Sequence, residues 1–377
     1  MWKFPYYEID QEIDWDVLER TLSWLSELKD VPQEPEWHQE GNVFIHTQMV
    51  ISALLELPEF IQLSEQEKHI VFTAALFHDI EKRSTTILQV DNGVERISSP
   101  GHSKKGEFTA RKILYTEIPT PFTIREEIAK LVRYHGLPLW SIEKEDPRKN
   151  VIEVSLHLNT ALLYIVAKAD ALGRICKDKD ALLLNLELFR ELCIENDCFG
   201  KQREFPSKYS RYLYLNKSDV SPDYQPFEEV TFDVYMIAGL PGTGKDTYIH
   251  NNLPLPVLSL DDIRREHKIS PTDKKGNGQV IQLAKEKAKE FMRVKKSFVF
   301  NGTNITSDMR GKWIALFTDY GARVRIVYLE VPYTTMLSQN AQREHKVPEL
   351  VIDRLIDKLE IPSYKEAYDI DYIISNE

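Results

Sequence analysis

The sequence predicts two folded units in series, an all-α helical bundle followed by an α/β domain on a mainly parallel sheet. Three observations carry this. At 377 residues the chain is longer than one hydrophobic core usually fills. Up to about Cys198, apolar residues recur at three- and four-residue spacing, as in Val71-Phe72-Thr73-Ala74-Ala75-Leu76-Phe77 and Ala161-Leu162-Leu163-Tyr164-Ile165-Val166. Farther on, short β-rich runs alternate with helical ones, the pattern of a parallel sheet covered on both faces.

In chain order, helices are expected from Trp15 onward, with Pro119, Pro121 and Pro138 marking the connections. Residues 201–229 mix Lys, Arg, Tyr, Ser and Pro with little apolar periodicity and read as a linker. Strands are then expected at 234–238, 257–260, 298–300, 324–329 and 372–374. The implied domains are 1–200 and 230–377. In such sheets ligands sit at the carboxyl ends of the strands.

The formal charge of -11 is uneven, about -10 over residues 1–227 and -1 over the rest. That balance disfavours gripping long duplexes by counterion release, but it allows a short strand end or a small phosphorylated molecule. Cys176, Cys193 and Cys198 form no metal-binding or disulfide pattern. No apolar run nears the roughly 18 residues of a membrane span. The opening Met1-Trp2-Lys3-Phe4-Pro5 is unlike a signal peptide, so no membrane and a cytoplasmic location are expected.

After the first expected strand of the second domain comes Gly239-Leu240-Pro241-Gly242-Thr243-Gly244-Lys245, leading into a helix. This is the strand-to-helix context of a P-loop. Glycines including Gly242 and Gly244, with Thr243 between them, let backbone amides close on phosphate oxygens, and Lys245 reaches the outer phosphates. The pattern expects Ser or Thr next, but here Asp246 precedes Thr247. A carboxylate also suits a hard cation, so Asp246 is expected at Mg2+ and Thr247 at the phosphates.

After the second strand, Asp261 is placed to accept a hydroxyl proton and Arg264 to neutralise a phosphate. Helix capping by Asp261 or Asp262 is the plainer alternative. Asn301-Gly302-Thr303-Asn304 follows the third strand, with Thr303 and Asn304 as candidate substrate contacts. Arg343, in what reads as a helical stretch after the fourth strand, fits a lid over developing negative charge. The basic stretch Lys285 to Lys296 is interleaved with Glu286 and Glu290 and reads as a solvated helix face.

The loop, Asp261-Asp262-Ile263-Arg264 and Arg343 together resemble the 5'-hydroxyl polynucleotide kinases. The resemblance implies ATP, or another nucleoside triphosphate, and Mg2+ as cofactors. It also implies Asp261 as general base, Arg264 at a phosphate beside the acceptor, and Arg343 on the lid.

In the first domain, Phe77-His78-Asp79-Ile80-Glu81-Lys82, Gly101-His102-Ser103, Val132-Arg133-Tyr134-His135-Gly136 and Ala167-Lys168-Ala169-Asp170-Ala171-Leu172-Gly173-Arg174 scatter imidazoles and acids over several predicted helices. His78 and Asp79 are expected about 100° apart on one helix, needing partners from elsewhere to close a metal sphere. Any one of these histidines alone reads as a core residue. The ordered set resembles the HD-domain phosphohydrolases. It implies His46, His78, Asp79 and Asp170 on one metal, with His102 and His135 completing a second that shares Asp79. His38 rivals His46. Lys82 either offsets phosphate charge or pairs with Glu81 or Asp79. The ligand mixture suits manganese, iron, cobalt, nickel or zinc over calcium.

The whole chain thus resembles bacterial fusions of an HD domain to a P-loop polynucleotide kinase. The resemblance implies healing of broken RNA or DNA ends, with 2',3'-cyclic phosphate or 2'/3'-phosphate removed, the 5'-OH phosphorylated, and a separate ligase sealing. The alternatives are an HD nucleotide phosphohydrolase fused to a metabolite or antibiotic kinase, and a non-catalytic nucleotide sensor.

Overall fold

The computed structural model describes residues 1–91, 93–229 and 231–375. The expected domain limits at 230 and 377 lie outside the described residues. The chain divides into two compact units, Met1–Arg203 and Glu204–Glu377.

The first unit is helical, and its centre is helix Glu65–Phe77. A capping box fixes where that helix starts, with Ser64 accepting from the Glu67 amide and Glu67 accepting from the Ser64 amide. From His69 to Phe77 every residue is buried, so packed neighbours surround this helix on all sides. Helix Val43–Glu56, capped by Asn42, and helix Thr160–Leu172, capped by Asn159, flank it. Their crossing is tight at Gly173, where an added Cβ would fall 2.7 Å from the Val50 amide nitrogen. Only a residue without a side chain permits that approach. It draws His46, one turn before Val50, toward Asp170, just before Gly173.

One feature departs from the all-helical expectation. Ile87–Asp91 (β1) and Val94–Ser98 (β2) form an antiparallel hairpin. It is tied to the preceding loop by the Ile97 amide, which donates to Glu34 at 2.8 Å, and by an ion pair between Arg96 and Glu36.

Among the described residues the second unit holds five parallel strands, Asp233–Ala238 (β3), Val257–Ser259 (β4), Phe298–Asn301 (β5), Arg323–Glu330 (β6) and Asp369–Ile374 (β7), in the order β4-β5-β3-β6-β7. All five strands read from the sequence are present, and β3 lies at the centre with four of its six residues buried. The segment read as a linker contains helix Lys208–Asn216, which belongs to this unit. Ser210 and Tyr214 are buried, Lys208 pairs with Asp369 at 2.5 Å, and the Tyr209 ring stacks on Tyr368. Its buried face is only Ser210, Tyr214 and Leu215, too short a pattern to stand out among polar neighbours. Among the described residues no single helix is long and apolar enough to cross a membrane.

Candidate metal centre and phosphate-binding loop

Six predicted side chains of the first unit meet at one point. Helix Glu65–Phe77 ends just before His78, so His78 and Asp79 stand in the turn that follows rather than on a helix. That turn is closed by the Ile80 amide donating to the Phe77 carbonyl.

Three imidazoles use one device. Nδ1 of His78 donates to Ala75 O at 2.7 Å, Nδ1 of His102 to Ser99 O at 2.8 Å, and Nδ1 of His135 to Val132 O at 2.8 Å. A carbonyl can only accept, so each Nδ1 carries a proton, and in the neutral ring that a metal requires each Nε2 presents a lone pair. Those lone pairs converge on acceptors. His78 Nε2 lies 3.2 Å from Asp79 Oδ2, and His102 and His135 Nε2 lie 3.4 and 3.9 Å from Asp79 Oδ1.

His46 is held differently, with Nδ1 2.9 Å from Glu40 Oε1 and Nε2 3.1 Å from Asp170 Oδ1 and 3.4 Å from His78 Nε2. Two triads result, His46-His78-Asp79 and Asp79-His102-His135, with Asp79 common to both.

Lone pairs facing carboxylate oxygens in a buried site repel one another unless a proton or a metal cation lies between them. Asp79 Oδ1 is buried and has no hydrogen-bond partner among the described residues. The donor set therefore fits divalent metal. Burial, with the neighbouring His78 ring next, pushes the His135 imidazole down to about 3, which keeps it neutral as a ligand must be. Burial likewise lowers His102. For Asp79, burial alone would raise the carboxyl, but Lys82 and His78 outweigh it and hold it well below the usual carboxylate range.

Of the two acids open to Lys82, the structure selects Asp79. Lys82 Nζ lies 2.8 Å from Asp79 Oδ2 and donates to Gln33 Oε1, while Glu81 turns to Arg83, Ser84, Lys105 and Thr109. Arg174 grips Asp170 through Nε and Nη2 at 3.0 and 2.6 Å.

Glu40 was not singled out from the sequence. Its side chain is fully buried, and Oε1 bridges His38 Nδ1 at 2.8 Å and His46 Nδ1 at 2.9 Å, while Oε2 accepts from the Ile175 amide. Burial works against its charge, but the two rings and that amide outweigh it and hold the carboxyl low. His38 is thus tied to Glu40 rather than to Asp170, and burial pushes it down to about 4.

The centre opens into a cleft of two adjoining lobes of about 400 and 380 Å3, which share His38, Lys82, His102, Trp140 and Arg174.

In the second unit, the loop after β3 carries left-handed glycines at Gly239, Gly242 and Gly244. A Cβ at Gly239 would meet Leu329 O at 2.5 Å, and one at Gly242 would meet Met336 O at 2.7 Å. Gly244 then precedes helix Lys245–Asn252. Thr243 Oγ1 donates inward to Leu240 O, and Lys245 Nζ donates to the Gly239 and Leu240 carbonyls at 3.0 and 2.7 Å. Burial, with Arg343 next, pushes the Lys245 ammonium down to about 8. Asp246 accepts from Asn301 Nδ2 at 2.8 Å, while Thr247 faces solvent.

Helix Leu260–Glu266 is capped by Ser259, whose Oγ accepts from the Asp262 amide. Neither Asp261 nor Asp262 caps, because Ser259 already occupies that position. Asp261 Oδ1 instead receives Arg264 Nη1 at 2.5 Å, and Arg264 Nε donates to Asn277 Oδ1 at 2.8 Å. Thr303 O accepts from the Gly239 amide. Asn304 is turned into the fold, its amide donating to Ile237 O, so it braces the end of β3.

Arg343 lies outside helix Tyr333–Ala341, in the irregular stretch that follows. Asn340 causes this break. Its side chain donates to Val347 O and accepts from the Val347 amide, folding the intervening residues into a loop. Asn340 also packs under Gly242. The basic helix Lys274–Arg293 buries Gly276, Val280, Ala284, Ala288 and Met292 at four-residue spacing, leaving Lys287 on the solvent face.

Residues 43–175 match the family model described as HD domain, and residues 234–362 match the one described as AAA domain. The chain thus joins an HD domain to a P-loop kinase-like domain. Among known proteins it is similar to the L-seryl-tRNA(Sec) kinase of Methanococcus maripaludis, 25% identical over 144 residues that cover 36% of this chain and 55% of that protein. The chain therefore spans about half the length of the curated relative it matches. Two solved structures are also similar. One is a sugar kinase from Janibacter sp. HTCC2649, with a TM-score of 0.28, 16% identity, and coverage of 38% of this chain and 84% of that one. The other is a Pnkp1/Rnl/Hen1 complex, with a TM-score of 0.28, 14% identity, and coverage of 33% and 43%.

Proposed function

We propose that the chain is a bifunctional nucleic-acid end-healing enzyme of the HD-domain polynucleotide kinase type. The C-terminal domain transfers the ATP γ-phosphate to a polynucleotide 5'-OH. The N-terminal domain hydrolyses 2',3'-cyclic phosphate or 2'/3'-phosphate ends. The observation that supports it most is the pairing of a P-loop and its neighbouring Asp261 with a two-triad His/Asp cluster, so that one chain carries machinery both to add and to remove phosphate.

In the first domain, His46, His78, Asp79 and Asp170 would hold one divalent ion, and Asp79, His102 and His135 a second. Such ions would supply positive charge at the phosphate and acidify water. Glu40 and the three backbone carbonyls keep each imidazole in the tautomer that ligation needs. Lys82, 2.8 Å from Asp79, adds positive charge where the scissile phosphate enters.

In the second domain, Lys245 leaves the Gly239 and Leu240 carbonyls for the β- and γ-phosphates of ATP, and the glycine amides close around them. Asp246, steadied by Asn301, would attend Mg2+. Asp261 takes the proton of the attacking hydroxyl as the O–P bond forms and the bond to ADP breaks. Arg264 must give up part of its hold on Asp261 to bind the phosphate beside the acceptor. Arg343 neutralises charge on the group in transit, and Thr303 lines the acceptor side.

A second reading comes from the relative whose name is a kinase of a seryl group carried on tRNA. It favours a hydroxyl other than the 5' end as acceptor. Competition for labelled ATP phosphate separates the two: a 5'-OH oligonucleotide set against serine, nucleosides and simple alcohols wins under the end-healing reading. Label passing to the small hydroxyls instead overturns it.

A further inference from the structure

The cleft over the metal centre has an aromatic wall that the reading above leaves unused. Trp37 and Trp140 are 44% and 39% exposed, yet both line the first lobe. Large indoles left open beside a polar catalytic cluster forgo burial energy, so their exposure needs a reason.

Neither is loosely held. Trp37 sits in a turn whose amides, its own and that of His38, both donate to Glu34 O. The turn sends His38 inward to Glu40 and leaves Trp37 outside. The Glu34 carboxylate in turn receives the Ile97 amide of the hairpin, which braces the turn. Trp140 ends the short helix Leu137–Trp140, anchored by buried Pro138 and Leu139 and by Asn185 Nδ2 donating to Leu139 O at 2.9 Å. It lines both lobes.

Charge supplies the second observation. In a chain of net charge -11, the cleft outside the metal ligands carries Lys82, Arg133, Lys144 and Arg174 against Glu34, which is already engaged. Lys144 makes no ion pair among the described residues. Lys82 and Arg174 already face Asp79 and Asp170, and Arg133 lies 3.7 Å from Glu107, but exposed ring faces beside these cations and the unpaired Lys144, next to a site for phosphate, match the chemistry of a nucleotide: a flat base joined to more than one phosphate.

We infer that Trp37 and Trp140 form a base-stacking subsite for the nucleotide that bears the scissile phosphate, and that Arg133 and Lys144 take the next phosphate of the strand. This rests on the end-healing reading only in requiring a phosphate ester at the HD centre. The subsite selects a base-bearing strand end over a bare phosphate ester, without reading sequence.

The test uses the full chain with manganese and three substrates: a tetranucleotide ending in a 3'-phosphate, the same strand with an abasic 3'-terminal residue, and 3'-AMP. Trp140→Ala and Trp37→Ala should each raise KM for the base-bearing strand roughly ten-fold with little change in kcat. Both should leave the abasic strand as it was, and Trp140→Phe should restore most of the loss. Lys144→Ala should raise KM for the tetranucleotide but not for 3'-AMP. An equal effect on both overturns the strand-phosphate part and leaves a site for one free nucleotide.

Binding is also read without turnover, as quenching of indole fluorescence by the tetranucleotide that disappears in Trp37→Phe/Trp140→Phe. Quenching of that kind with no hydrolysis of any ester keeps the subsite and removes the end-healing reading. Hydrolysis of the abasic and base-bearing strands with equal KM keeps that reading and removes the subsite.

Discussion

Glu40 Oε1 lies 2.9 Å from His46 Nδ1, on the edge of the ring opposite Asp170, which faces Nε2 at 3.1 Å. A carboxylate behind an imidazole fixes its tautomer and raises its basicity toward a metal. Glu40→Gln keeps the shape and removes the charge. It should weaken binding of Mn2+ to the first unit by about 10- to 100-fold, by titration with a competing chelator. ATP-dependent phosphorylation by the second unit should be unchanged. Wild-type metal affinity in Glu40→Gln would mean that Glu40 only packs.

The Gly173 crossing makes a second, independent demand on the same site. In Gly173→Ala the new Cβ meets the Val50 amide nitrogen at 2.7 Å, so the two helices must part. A loss of about 1–3 kcal/mol in stability is expected, together with weaker metal binding as His46 draws away from Asp170. Gly278→Ala is the control. Nothing lies within 4 Å of a Cβ there, and the residue is inside helix Lys274–Arg293, so this change should stabilise slightly. Thermal melts and metal titrations of both variants decide it.

Glu127 gives the first unit a pH signature away from the metal centre. Burial pushes its carboxyl up to about 7 from an ordinary value near 4.5, against the Asn159 amide that donates to it. The folded state then holds a proton that the unfolded chain releases. Stability should therefore fall as pH rises from about 4.5 through 7 and level off above. Glu127→Gln removes this slope. Its gain over wild type should be larger at pH 8 than at pH 5, by about 2–3 kcal/mol in denaturant melts. Parallel pH profiles for the two proteins would contradict the assignment.

The two activities should be separable. Asp79→Ala removes the residue common to both triads and should abolish phosphohydrolysis while sparing the kinase. Lys245→Ala should do the reverse. Each is assayed for both reactions after a check of folding by circular dichroism. Loss of both activities in either folded variant would show that the sites do not act independently.

Much of this was legible in the sequence because the relevant patterns are local. The five strands are short β-rich runs, and the phosphate loop is the contiguous run Gly239-Leu240-Pro241-Gly242-Thr243-Gly244-Lys245. The histidines announce themselves by residue type. What escaped is either a weak local signal or a contact between distant segments. The hairpin was signalled by Asn92-Gly93 between β-branched residues, but the helical periodicity around it dominated. Glu40 sits in a loop with no periodicity, and only the fold brings it to His38 and His46. Asn277, which holds Arg264, is 13 residues away from it on a different helix. The irregular path at Arg343 depends on Asn340 bonding to Val347, a side-chain contact that helix propensity does not register.

The most direct measurement follows one oligonucleotide by mass. A strand with a 5'-OH and a 2',3'-cyclic phosphate is incubated with the protein, ATP, Mg2+ and Mn2+. End healing predicts that the 5' end gains a phosphate and the 3' end loses its own, the first change failing in Lys245→Ala and the second in Asp79→Ala. A strand recovered with both ends unaltered, while the same protein phosphorylates a small hydroxyl compound, would contradict it.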